Sequence, residues 1–119
     1  MQATSFEKLR VYTSAKDISS KTWFAVNQSN ISQNYYLINQ LLRAIDSVGA
    51  NIAEGCGRGS MADRRRMTII ARGSIYETKH WVRLALERAF LKEKAAREIL
   101  IEIENLIPQL NAYINFLSK

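Results

Sequence analysis

Apolar residues recur every three or four positions in four long stretches of the chain, the spacing that places side chains on one face of an α-helix. The stretch 93–117 is the most regular, with apolar steps of three and four from Ala96 to Leu117. A polar run, 27–34, separates the first two stretches, and the remaining connections are short, which favours antiparallel neighbours. The pattern predicts an all-α fold, an antiparallel up-down-up-down four-helix bundle. The helices are expected over 7–26, 35–54, 61–89 and 93–117.

The third and fourth predicted helices have apolar faces of different regularity. Polar residues interrupt the stripe on the third helix, which is expected to consist of Met67, Ile70, Ser74, Thr78, Trp81 and Ala85. On the fourth helix a second apolar line, Leu100, Ile107 and Ile114, lies beside the first at steps of seven. This apolar surface is wider than packing against a single interface requires. The fourth helix is therefore expected to contact two surfaces, and the chain is expected to form a homo-oligomer.

Three glycines lie in the run 55–60, between the second and third predicted helices. Because glycine is a poor residue inside a helix, the second helix is expected to end at Glu54 and the chain to turn there. Ser60 with Asp63 resembles a capping box that opens the third helix. Backbone amides at this helix start, together with Arg58, could also hold an anion. No strand precedes the run and no Gly-Lys-Ser/Thr follows it, so a nucleotide-hydrolysing phosphate loop is not expected.

Antiparallel pairing about this turn places residues whose numbers sum to about 118 opposite each other. Opposite charges then face each other three times, which we interpret as a polar ladder that aligns the two helices. A ligand site made of the same side chains is the alternative interpretation. The predicted ladder consists of Arg43 with Glu77, Asp46 with Arg72, and Glu54 with Arg64 or Arg65, with Asn51 among them. Small residues that would let the two helices approach closely are Ala44, Ser47, Gly73 and Ser74.

Positive charge is concentrated on the third predicted helix and its ends. The 119-residue chain has a net charge of +6, but 58–97 holds eleven Lys/Arg against four Asp/Glu. One explanation of this composition is a solvated helix face. The other is a polyanionic partner such as a nucleic acid, because cations that neutralise its phosphates release condensed counterions. The candidate nucleic-acid-binding residues are Arg58, Arg64, Arg65, Arg66, Lys79, Arg83 and Arg88.

Part of this basic set is spaced to share one flank of the third helix. Arg65, Arg72, Lys79 and Arg83 follow each other at steps of seven, seven and four. Trp81 is expected to pack in the core, whereas Tyr76 and Trp23 are the aromatic residues that could stack on bases if exposed. The predicted ladder uses Arg72 internally, which reduces the cations available to a partner.

Residue counts disfavour several other chemistries. The pair Glu77-x-x-His80 has the spacing used in di-iron bundles, but His80 is the only histidine, so neither a metal site nor a catalytic triad with Cys56 is expected. We predict no cofactor and no enzymatic activity. No apolar run approaches the roughly 20 residues of a membrane span. One cysteine and no secretion signal agree with a cytoplasmic protein of a single domain, 1–119.

Two strings, Asn51-Ile52-Ala53-Glu54-Gly55 and Ala71-Arg72-Gly73-Ser74, follow Phe6-Glu7-x-Leu9 at characteristic separations. Over about the whole chain, this pattern resembles the small four-helix-bundle proteins encoded in intervening sequences of bacterial 23S ribosomal RNA genes, often labelled ribosomal proteins. Two departures are Tyr12, where the family usually has Trp, and the polar run 27–34, which replaces a Phe-Pro element. A more distant resemblance is to the accessory protein of diversity-generating retroelements, a basic homopentamer that associates with nucleic acid and a reverse transcriptase. The resemblance implies a pentamer.

Together, the charge pattern and the resemblance predict a non-enzymatic, oligomeric helical bundle that binds structured RNA or DNA through its third helix. The alternative hypothesis is a protein-interaction scaffold, for example a partner of a reverse transcriptase or another nucleic-acid enzyme.

Overall fold

The computed structural model describes residues 5–29 and 34–118. After a 3₁₀ turn at Phe6–Lys8, the chain forms four α-helices: α1, Arg10–Val26; α2, Tyr35–Arg58; α3, Met61–Glu87; and α4, Glu93–Leu117. Each helix packs on the next, and α4 packs back on α1, around one apolar core. The bundle is a rod of 45 × 22 × 19 Å. The predicted all-α four-helix bundle is confirmed, while part of the predicted loop, 30–33, lies outside the described residues.

The turn between α2 and α3 is shorter than expected. The prediction that α2 ends at Glu54 is wrong, because the helix continues through two glycines to Arg58 and leaves the helical conformation only at Gly59, with φ of +87°. Gly55 is buried against α3, where an added Cβ would lie 3.0 Å from Met67 Cβ and 3.2 Å from Arg64 Cα. Close packing of the two helices therefore explains this glycine better than a turn does.

The predicted buried stripe of α3 is partly wrong. Ile70 is 44% exposed and Trp81 only half-buried, whereas Ala71, Ile75 and Val82 are fully buried. The buried face is therefore rotated relative to the predicted one, by one position at Ala71, Ile75 and Val82. The buried residues of α3 are Met67, Thr68, Ala71, Ile75, Thr78, Val82 and Ala85.

Both buried threonines on α3 satisfy their hydroxyls within the helix. Thr68 Oγ1 donates to the Arg64 carbonyl oxygen at 2.7 Å, and Thr78 Oγ1 donates to the Ser74 carbonyl oxygen at 2.8 Å. Because each hydroxyl keeps a hydrogen-bond partner, these polar residues are tolerated in the core.

The second apolar line on α4 packs against the core of the same chain. Ile114 is buried, and Leu100 and Ile107 are partly buried against the core. The width of this face therefore reflects contacts of α4 with its neighbours in the same chain. Among the described residues, no helix combines the length and hydrophobicity needed to cross a membrane.

Candidate nucleic-acid interface

One of the three predicted ladder pairs forms between α2 and α3. Arg43 Nη2 lies 3.1 Å from Glu77 Oε2, and the same carboxylate oxygen accepts a hydrogen bond from Trp81 Nε1 at 3.0 Å. Arg43 also donates to Gln40 on its own helix at 2.8 Å. This exposed pair marks the register of α2 against α3.

The other two predicted pairs do not form, because their members face different neighbours. Asp46 accepts a hydrogen bond from Ser19 of α1 at 2.5 Å, and Arg72 donates to Asn111 of α4 at 2.8 Å. Antiparallel pairing of residues whose numbers sum to about 118 placed Asp46 and Arg72 at one level along the bundle. It did not determine the side of the helix on which each residue lies.

Glu54 and Asn51 are also held within their own helix. Glu54 accepts a hydrogen bond from Arg58 Nε at 3.1 Å, one turn further along α2, and not from Arg64 or Arg65. Asn51 Nδ2 donates to the Ser47 carbonyl oxygen at 2.7 Å. The predicted six-residue ladder is therefore reduced to one cross-helix ion pair.

Three residues of the predicted basic flank of α3, Arg72, Lys79 and Arg83, face α4. In addition to the Arg72–Asn111 hydrogen bond, Lys79 Nζ lies 2.6 Å from Glu104 Oε2. Further along, Arg83 and Arg97 line the same groove between the two helices. Sequence analysis did not select Arg97, because its position beside Arg83 follows only from the register of α4. We define the basic edge as Arg65, Arg72, Lys79, Arg83 and Arg97.

Three of the seven candidate cations have carboxylate partners. Arg58 pairs with Glu54, Arg66 Nη2 lies 2.9 Å from Asp63 Oδ1, and Lys79 pairs with Glu104. The hydrogen bond from Arg66, followed by that from Ser60, holds the pKa of Asp63 below its usual range. These pairs are largely exposed to solvent, where ion pairs are weak, so phosphates can compete for the cations.

The other four candidate cations, Arg64, Arg65, Arg83 and Arg88, form no ion pair within the described residues. Arg83 and Arg88 are exposed, whereas Arg64 and Arg65 are partly buried at the start of α3. The Nε atom of Arg65 is buried and has no hydrogen-bond partner. The candidate set thus extends along the whole of α3 and does not form one compact patch.

Tyr113 of α4 lies near both Arg64 of α3 and Cys56 of α2. Burial, and then the neighbouring Cys56 thiol, raise the pKa of the Tyr113 hydroxyl, while the Arg64 guanidinium acts in the opposite direction. The hydroxyl oxygen is buried, and none of these neighbours meets hydrogen-bond geometry with it. Arg64 therefore contributes to packing at this end of the bundle, and its side chain is not simply a surface cation.

The aromatic candidates differ in exposure. Trp23 on α1 and Tyr76 on α3 are both more than half exposed, and Trp81 is half-buried beside Glu77. His80 is exposed and contacts the Trp81 ring edge-on, with ring centroids 4.8 Å apart. Trp23 and Tyr76 therefore remain available to a partner.

The fold defines a class of protein: a basic, antiparallel four-helix bundle with an uneven distribution of charge. Residues 7–112 match the model of the 23S rRNA-intervening sequence protein family. The chain belongs to this family. No curated protein matches it significantly.

A solved structure shows the same fold. It is that of a protein of unknown function from the S23 ribosomal protein family of Bacteroides thetaiotaomicron VPI-5482, which is 23% identical in sequence to this chain. The match has a TM-score of 0.76 and covers 87% of this chain and 97% of the other.

Proposed function

We propose that this protein binds structured RNA or DNA through phosphate contacts from α3 and its basic edge, and that it is not an enzyme. The observation that carries the proposal is that three of the seven candidate cations, Arg65, Arg83 and Arg88, are at least partly exposed and have no carboxylate partner among the described residues. Cations left unpaired on a protein surface are available to neutralise phosphates.

The length of the basic edge suits a duplex. From Arg65 to Arg83 the helix advances by about 27 Å at 1.5 Å per residue. This distance matches roughly eight base pairs of a DNA duplex at 3.4 Å per step. Side chains of this type contact the sugar-phosphate backbone, so we expect strong dependence on salt and little dependence on base sequence. The description of the family as 23S rRNA-intervening sequence proteins makes RNA the first class to test.

The test is an electrophoretic mobility shift with an RNA hairpin and a DNA duplex at increasing salt. We expect binding to weaken steeply with salt, and Arg65→Ala/Arg83→Ala to reduce the slope of log K against log salt by about two. Circular dichroism establishes that the variant is folded.

The matched control removes the same charge from the opposite side of the bundle. Arg10→Ala/Lys16→Ala changes two exposed cations of α1 that form no ion pair with any described residue. This variant should retain most of the affinity. Absence of binding at low salt, or an equal loss in both double variants, would contradict the proposal.

A second candidate function, an oligomeric protein-interaction scaffold, is favoured by apolar side chains that the bundle leaves exposed. Ile70 on α3 and Ile101 and Phe116 on α4 are large apolar residues in contact with solvent. We propose that they contribute to self-association, for which the family resemblance suggests a pentamer. Light scattering measures the mass, and Ile101→Lys should lower it. Pull-down with and without nuclease separates protein partners from partners bridged by nucleic acid.

A further inference from the structure

Four large aromatic side chains are exposed at the end of the bundle where α1 finishes and α2 begins. The exposed fractions are 60% for Trp23, 66% for Phe24, 64% for Tyr35 and 70% for Tyr36. Single exposed apolar residues are ordinary, but four aromatic rings at one end of a small domain are not. We call these four residues the aromatic end.

The rings surround this end and do not form one flat patch. Trp23 lines a groove towards α2 beside Leu42, and Phe24 lines a groove towards α4 beside Ala95. Tyr36 contacts Trp81 of α3 edge-on, with ring centroids 6.4 Å apart. The rings therefore present faces and edges towards three of the four sides of the rod.

Cations lie at the same end of the bundle, because α3 finishes there and α4 begins there. Residues 83–97 contain five Lys/Arg against two Asp/Glu. Arg88, Lys92 and Lys94 are exposed, and none of them forms an ion pair within the described residues. Exposed aromatic rings and exposed cations at one end of a molecule are the combination that binds single-stranded nucleic acids, since bases stack on the rings and phosphates contact the cations.

We propose that the aromatic end binds unpaired nucleotides, with bases stacked on Trp23, Tyr35 and Tyr36 and phosphates held by Arg88, Lys92 and Lys94. This inference rests on the proposed function and specifies its ligand. Arg83 belongs to the basic edge and lies close to the aromatic end along α3. The preferred ligand is therefore a duplex that continues into an unpaired strand, with the paired part along the basic edge and the unpaired part at the aromatic end.

The experiment compares two RNA probes by fluorescence anisotropy. One is a blunt duplex, and the other is the same duplex with an unpaired tail of about six nucleotides, within the site sizes of single-strand-binding modules. We expect the tailed probe to bind about 10-fold more tightly or better, since stacking on one aromatic ring corresponds to roughly 5- to 150-fold in affinity. Trp23→Ala/Tyr35→Ala should remove this gain and leave binding of the blunt duplex unchanged.

The control variant, Met61→Ala, removes an exposed large side chain at the opposite end of the bundle, where α3 begins, and it should preserve the gain. Equal affinity for the two probes overturns this inference and leaves the proposed function standing, whereas absence of binding to both probes overturns both. If Trp23→Ala/Tyr35→Ala lowers the mass measured by light scattering and preserves the gain, the aromatic end is a protein contact and the inference is wrong.

Discussion

Gly55 lies where the backbone of α2 passes close to α3, and the size of its side chain matters more than its flexibility. Gly55→Ala should destabilise the protein by about 1 kcal/mol, because overpacking costs roughly 1–3 kcal/mol and alanine recovers only about 1 kcal/mol in helix propensity. Gly73→Ala is the matched control, since an added Cβ there meets nothing within 4 Å. It should stabilise α3 by about 0.5–1 kcal/mol.

Urea denaturation of the two glycine variants measures both changes. Equal stability of the variants would show that α2 and α3 separate easily at Gly55, contrary to the packing described above.

Tyr113 buries a hydroxyl oxygen that has no hydrogen-bond partner. Tyr113→Phe should therefore stabilise the protein by about 1 kcal/mol, because an unsatisfied buried polar group costs roughly 1–3 kcal/mol. Tyr76→Phe, which changes an exposed hydroxyl, should have no effect. A loss of stability in Tyr113→Phe would indicate that Arg64 or Cys56 bonds to the hydroxyl in solution.

The raised pKa of Tyr113 also predicts a dependence on pH. Above about pH 10 the unfolded state loses this proton before the folded state does, so the free energy of unfolding falls as the pH rises. Denaturation at pH 8 and at about pH 11 should show a smaller fall for Tyr113→Phe than for the unmodified chain. An identical fall in the free energy of unfolding for the two proteins would show that Tyr113 is not the group responsible.

At the scale of elements, the turns before and after α3 each contain a residue in the left-handed conformation, but the residue type differs. After α3, Phe90 N donates to the Ala85 carbonyl oxygen and Ala89 N donates to the Leu86 carbonyl oxygen, the two hydrogen bonds of a Schellman motif. This motif requires a left-handed residue, and Ala89 adopts it with φ of 59°. Gly59 fills the equivalent position after α2.

Exchanging the residue types at these turns should have opposite effects. Ala89→Gly should stabilise the protein by about 0.5–1 kcal/mol, because glycine adopts positive φ without steric cost. Gly59→Ala should destabilise it by about 1 kcal/mol for the same reason. Thermal or urea denaturation measures both changes, and a shift of the same sign in the two variants would contradict the argument.

Helix periodicity and capping predicted most of the architecture. The bounds of α4 were predicted as they are observed, because its apolar steps are regular and glycine is absent from it. The end of α2 was misplaced because propensity disfavours glycine in helices, whereas packing against Met67 favours it at position 55. The buried face of α3 was misassigned because Ile70 and Trp81 satisfy the same helical spacing as Ala71 and Val82, and spacing alone does not decide which of two adjacent stripes faces the core.

The candidate site was less predictable than the fold. Spacing alone put Arg65, Arg72, Lys79 and Arg83 on one flank, but the identity of the helix they face depends on the register of α4. Asp46 and Arg72 were predicted to pair for the same reason, since the sequence does not show which neighbouring helix each residue faces. Which cations remain unpaired depends on distances between helices, and periodicity within one helix does not contain that information.

For the whole molecule, the excess of positive charge should affect stability. A net charge of +6 opposes the compact state through self-repulsion, and salt screens this repulsion. The exposed ion pairs also weaken with salt, but exposed ion pairs contribute little to stability. We therefore expect the Tm to rise by a few degrees as NaCl increases from low to moderate concentration. A fall in Tm would show that the ion pairs dominate.

The two-residue connection between α2 and α3 has a consequence for folding kinetics. A short loop closes with little loss of entropy, and contacts that are local in sequence form quickly. The α2–α3 hairpin should therefore form in the transition state, with α1 added later. Ala71→Gly in α3 should then slow refolding, whereas Ala15→Gly in α1 should mainly accelerate unfolding, and stopped-flow measurements distinguish the two.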